Sequence, residues 1–131
     1  MFSIHNRQRY FLYSRVCDMR KGFDGLCGVV KNEFAMNPMS ADVFIFLSKR
    51  RDKIKLLQWQ GDGFAIFQKR LEKGTFEMPE INCESISAEI SPQNLRLILE
   101  GIKLSSIRKK LRYEKFAVDK FSKQVVDSAT L

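Results

Sequence analysis

The sequence predicts an α+β fold: an antiparallel β-meander sheet with a packed amphipathic helix and a short second helix. Three observations carry this expectation. The stretch from Asp42 to Phe76 holds three runs rich in β-branched and aromatic residues, separated by two tight polar turns. Residues 19–34 carry apolar side chains at helical spacing. Ser91-Pro92 opens a short periodic run that stops at Gly101. With 131 residues, 44% of them hydrophobic and 11% aromatic, the chain can bury a real core. Residues 1–104 are expected to form a single α+β domain. Residues 105–131 form a basic C-terminal tail, either helical or disordered.

Arg9 to Tyr13 (RYFLY) reads as a first strand. Asp18 is placed to cap a helix from Met19 to about Phe34. Met19, Phe23, Leu26, Cys27, Val30 and Phe34 then form one apolar stripe, expected to be buried against Phe44, Phe46 or the opposite face of that strand. The same segment carries Gly22, Gly25 and Gly28, each costing about 1 kcal/mol relative to alanine inside a helix. Close packing onto the sheet is the expected reason for them, with docking of a partner at the glycines as the alternative. Asn37-Pro38 ends the element.

The meander follows. Val43 to Ser48, Ile54 to Gln60 and Phe64 to Leu71 are its strands. Lys49-Arg50-Arg51-Asp52 makes the first turn, and Gly61-Asp62-Gly63 supplies glycines for the second. Lys73-Gly74 ends the third strand. Alternation puts Lys53, Lys55, Leu57 and Trp59 on one face of the second strand, with Ile54, Leu56 and Gln58 on the other. An acidic loop runs from Glu77 to Glu84, and Ser85 to Ile90 reads as a short strand. Ser91 caps the second helix, whose buried face is Leu95, Ile98 and Leu99. In the tail, Ile107, Leu111 and Phe116 form an apolar stripe on a basic helix, or else the terminus is frayed.

The net charge is +8, which directs attention to nucleic acid first and to an acidic protein or membrane surface next. The meander alone carries eight cations against Asp52, Asp62 and Glu72. Lys49, Arg50, Arg51, Lys53 and Lys55 crowd into seven positions. The candidate nucleic-acid site combines Arg20 and Lys21 at the helix start with Arg50, Arg51, Lys53 and Lys55 on the hairpin, and with Lys69 and Arg70 on the third strand. Trp59 or Phe64 is a candidate for stacking on bases. The competing reading makes Trp59 a core residue and the lysines a solvated face.

Other classes find little support. The cysteines, Cys17, Cys27 and Cys83, form no C-x-x-C and no even set, which fits a reducing, cytoplasmic setting. One histidine, His5, excludes a histidine-built metal site or triad. The segment MFSIHNRQRY lacks the apolar run of a signal peptide, and no stretch reaches the length of a membrane span. The acidic candidates for metal-dependent strand chemistry are Asp18, Asp24, Asp42, Asp52 and Asp62, and each has a cheaper role in a cap or turn. No cofactor, metal or small-molecule substrate is expected, and no catalysis.

The wording of two blocks carries a resemblance. The first is Asp18-Met19-Arg20-Lys21-Gly22-Phe23-Asp24-Gly25-Leu26. The second begins F-L-x-x-R-R-x-x-I-K-L-L-x-W-x-G-D-G-F at Phe46 and continues as K-R-L-E-K-G-T-F from Lys69. Together they resemble the insertion-sequence-66 family of transposon accessory proteins (TnpB or Orf2-like), over roughly residues 7–101. Gln60 departs from the family's usual acidic residue before G-D-G. The resemblance implies a non-catalytic accessory factor of DNA transposition, with an acidic-triad transposase as a separate, larger protein. Two partners follow. The chain binds DNA through the basic hairpin and helix start, or it is an adaptor that docks the transposase without touching DNA.

Overall fold

In the computed structural model, which describes residues 3–77 and 84–100, seven elements follow one another. They are β1 (Tyr10–Tyr13), α1 (Phe23–Asn32), β2 (Val43–Leu47), β3 (Lys53–Trp59), β4 (Phe64–Arg70), β5 (Ser87–Ile90) and α2 (Pro92–Leu99). The strands form one sheet in the order β4-β3-β2-β1-β5. The β2–β3–β4 meander is antiparallel, as its turn chemistry predicts, with Phe46 opposite Lys55 and Lys53 opposite Arg70. β1 lies parallel to β2, with α1 as the connection between them, and β5 pairs antiparallel on the outer side of β1. The sheet is therefore mixed, and the fold is α+β.

The central strand explains the layering. All five residues of β2 are buried. A continuous apolar run of this kind suits a strand covered on both faces. Val43, Ile45 and Leu47 face one side, where they meet Ile54, Leu56 and the α2 residues Leu95 and Ile98. Phe44 and Phe46 face the other, against Leu26, Val29 and Val30 of α1, and Phe34 beyond it. The two helices thus cover opposite faces. Phe34 stands edge-on to Phe44 with centroids 5.3 Å apart, so the expected packing of the first helix on Phe44 and Phe46 holds. Each such fully buried side chain contributes about 1.5–3 kcal/mol by leaving water.

The first helix differs from its sequence expectation in three ways. It starts at Phe23, not Met19, and its cap position is Gly22, which offers no side-chain bond. Asp18 closes a separate turn instead: its carbonyl accepts from the Lys21 N–H at 3.1 Å and its Oδ1 from the Arg20 N–H at 2.9 Å. A short acidic side chain that bonds two residues onward competes with helix propagation. The helix also stops at Asn32. Ala35, at φ 54°, then reverses the chain, and the Met36 N–H donates to the Val30 carbonyl. In consequence the buried stripe is Leu26, Val29, Val30 and Phe34, while Phe23 is 48% exposed and Met19 and Cys27 are half-buried. The glycines do not mark a helix–strand contact either. A Cβ at Gly22 or Gly28 meets nothing within 4 Å, and one at Gly25 lies 3.0 Å from the Lys21 Cβ.

The second helix follows its signals. Ser91 Oγ accepts from the Asn94 N–H at 3.1 Å, with Pro92 at the first helical position. The acidic loop over 78–83, Cys83 included, and the basic tail with Ile107, Leu111 and Phe116 lie outside the described residues. Among the described residues no helix is long and apolar enough to cross a membrane.

Candidate nucleic-acid interface

Two turns meet at one end of the sheet. The first joins β2 to β3. The Arg51 N–H donates to the Ser48 carbonyl, and the Ser48 N–H to the Lys53 carbonyl. Ser48 Oγ donates to Asp52 Oδ1 at 3.1 Å and accepts from the Lys53 N–H at 3.1 Å. Arg51 takes φ 59°, a left-handed position. With the backbone held by these bonds, Lys49, Arg50 and Arg51 project as exposed side chains and Lys53 is partly covered.

The second turn is Asp18 to Lys21. Arg20, its side chain 92% exposed, donates to both carboxylate oxygens of Asp18, with Nη2–Oδ2 at 2.9 Å. These bonds from Arg20, side chain first and backbone N–H second, hold the Asp18 carboxyl down at about 2, below its ordinary 3.8. The same pair raises the Arg20 guanidinium. Cys17, buried just before this turn, has its thiol pushed up by loss of water, against the opposing pull of Lys21 and Lys55.

A cleft separates the two turns. Val16 to Met19 form one wall, and Ser48, Lys49, Arg50 and Lys53 the other. The Cys17 N–H donates to the Leu47 carbonyl at 3.0 Å and fixes the walls relative to each other. Among the described residues, Lys21, Lys49, Arg50, Arg51 and Lys53 form no ion pair, whereas Arg9, Arg15, Arg20 and Arg70 do.

The sequence-predicted residues fall into three groups. Arg50 and Lys53 line the cleft, while Arg20 and Lys21 belong to the 18–21 turn and Arg51 to the β2–β3 turn on either side of it. Arg70 lies at the same end, opposite Lys53, but donates to Glu72 Oε1 at 2.9 Å. Lys55, Trp59 and Lys69 stand apart. Lys55 is only 7% exposed, and its ammonium points inward, donating to the carbonyls of Met19 at 2.8 Å and Lys21 at 2.9 Å. Its alternation with Leu57 places it under the Asp18–Lys21 turn, not on the solvent side. Lys69 points to the opposite face, where its Nζ donates to the Leu99 carbonyl at 2.6 Å, an interaction favoured by the negative end of α2. Trp59 is half-buried against Phe64, rings 4.9 Å apart. It lies six residues along β3 from Lys53, about 20 Å at strand rise.

Sequence reasoning missed Val16, which is 62% exposed at the mouth of the cleft. Nothing in its local pattern distinguishes it from a strand residue. Three of the five acidic candidates are held in bonds of their own. Asp18 binds Arg20, Asp52 accepts from Ser48, and Asp42 forms a two-pronged pair with Arg9 at 3.0 Å. Among the described residues no three histidine, cysteine, aspartate or glutamate side chains gather where a metal ion could sit.

Comparison with known proteins places this arrangement in a family. The family described as "IS66 Orf2 like protein" matches residues 8–109, a span that contains both turns and the whole described sheet. The uncharacterized protein y4jC of Sinorhizobium fredii is 28% identical over 102 residues, covering 78% of this chain and 86% of that protein. The uncharacterized protein y4hO of the same organism is 34% identical over 85 residues, covering 65% and 72%. No solved structure matches the chain. The matched span takes in both blocks that carry the resemblance, and the chain belongs to the IS66 Orf2-like family, whose role is that of an accessory protein in transposition.

Proposed function

We propose that this accessory role is exercised by binding DNA, with phosphates held at the cleft between the 18–21 turn and the β2–β3 turn. The observation that carries the reading is the presence, on two turns at one end of the sheet, of five cations, Lys21, Lys49, Arg50, Arg51 and Lys53, that form no ion pair among the described residues. Basic side chains on a fixed backbone neutralise phosphates without first breaking internal pairs, and release of counterions drives such binding. Arg20 joins them when phosphate replaces or shares the Asp18 carboxylate. The role is non-catalytic and cytoplasmic, with the element's transposase as the second partner. With Mg²⁺ or Mn²⁺ the purified protein is expected neither to cut nor to join DNA; metal-dependent cleavage lost in Asp18→Ala or Asp24→Ala protein would contradict this.

A second reading rests on Val16 and Phe23, large apolar side chains exposed beside the same basic end. Apolar side chains next to cations suit an acidic protein surface, and there the chain would dock the transposase without contacting DNA. Titration of labelled element-end and scrambled duplexes across a salt series separates the two. Affinity that falls steeply with salt on both duplexes supports DNA binding. No binding at low salt until transposase is added supports docking.

A further inference from the structure

Lys55 sits where an apolar residue would be the economical choice. Its neighbours across the sheet are Phe46 and Gln68, and the next residue on its face, Leu57, is fully buried. Among the described residues no carboxylate pairs with it. A buried ammonium without a counter-ion is costly unless its N–H groups are met. They are met here by two backbone carbonyls, Met19 and Lys21, lying 36 and 34 residues away in sequence. Both carbonyls are drawn inward. The residue between them, Arg20, projects outward, and Lys21 is exposed beside it.

We infer that Lys55 is a positioning residue: its ammonium holds the Asp18–Lys21 turn against β3, so that Arg20 and Lys21 stand across the cleft from Lys49, Arg50 and Lys53. Two sequence blocks thereby act as one anion-binding surface. Lys55 itself touches no ligand. Asp18 completes the arrangement from within the turn, through its bonds to Arg20 and Lys21. A turn bound at both ends needs little further ordering when ligand arrives. Gly25 packs against the same turn, since a Cβ there would stand 3.0 Å from the Lys21 Cβ and the Lys21 stem would have to shift.

This inference rests on the DNA-binding reading, and the test separates the two. The full chain is compared with Lys55→Met, Lys55→Leu, Arg20→Ala with Lys21→Ala, and the triple variant Arg20→Ala, Lys21→Ala, Lys55→Met. Hydrogen exchange is read over residues 16–23 and over β2–β3, and affinity is measured on a labelled duplex. With the lysine removed, the amides of 18–22 should lose protection while those of β2–β3 keep theirs. Affinity should fall about tenfold, as in the Arg20, Lys21 variant, and the triple variant should lose no more than that. Retained protection over 18–22 would overturn the inference. So would unchanged affinity despite lost protection, full additivity in the triple variant, or global unfolding of both lysine variants, which would make Lys55 a requirement of the fold and not of the turn. If the unmodified chain binds no duplex at any salt, the DNA-binding reading fails and the inference falls with it, whatever the exchange data report about the turn.

Discussion

Asp18 and Lys55 decide more about this surface than their neighbours. The aspartate was readable as a cap, because its short carboxylate must bond a nearby N–H. The N–H groups it takes are those of the turn before α1: its Oδ1 accepts from Arg20 and its carbonyl from Lys21. Its bond to Arg20 has a pH consequence. A carboxyl held at about 2 against an ordinary 3.8 contributes stability that is complete above the ordinary value and is lost as pH falls through the lower one. Because Asp18 is exposed, the contribution is local and small. Carbon-detected NMR titration should place its midpoint near 2, and Arg20→Ala should move it upward, though not fully to 3.8 because the backbone N–H remains. An unmoved midpoint would mean the pair does not persist in solution. Lys55 was legible only as a basic residue alternating with Leu57; its carbonyl partners lie too far along the chain for any local pattern to reveal.

Strands and turns of the meander were legible because β-branched and aromatic runs, polar turn residues and Gly61, at φ 88°, all favour the same hairpins. The second helix was legible from Ser91 and Pro92. The first helix was over-extended, since Met19 and Phe23 continue the i, i+4 spacing although neither belongs to the buried stripe. Its glycines also have separate causes. At Gly28 a Cβ meets nothing, so Gly28→Ala should stabilise the fold by about 1 kcal/mol through helix propensity alone. Gly25→Ala should gain less or destabilise, because the Lys21 stem must move. Denaturant midpoints check both, and equal gains at the two positions would remove the proposed contact between Gly25 and Lys21. Ala35, at φ 54°, is a further test: Ala35→Gly should stabilise by about 1 kcal/mol, the left-handed penalty less the added chain entropy. A lowered midpoint would contradict that geometry.

Across the whole molecule, the placement of α1 between parallel β1 and β2 was not specified by local signals, because strand pairing over thirty residues is chosen by the core and not by turn chemistry. That pairing is what carries the Asp18–Lys21 turn to the same end of the sheet as the β2–β3 turn. The candidate site was therefore half legible: the cations could be counted, but their division into rim, buried clamp and opposite face required the fold. Trp59 and Lys69 stand away from the cleft for that reason. The most direct measurement is the salt dependence of duplex binding by Arg50→Ala, Arg51→Ala protein beside the unmodified chain. Each lost phosphate contact lowers the slope by about 0.9, so the double variant should bind element-end and scrambled DNA about equally more weakly, with a slope smaller by roughly two. Its melting midpoint should hardly move, since exposed charges contribute little to stability. A variant that binds DNA normally yet no longer supports transposition would contradict the account and make the basic end a docking surface for the transposase.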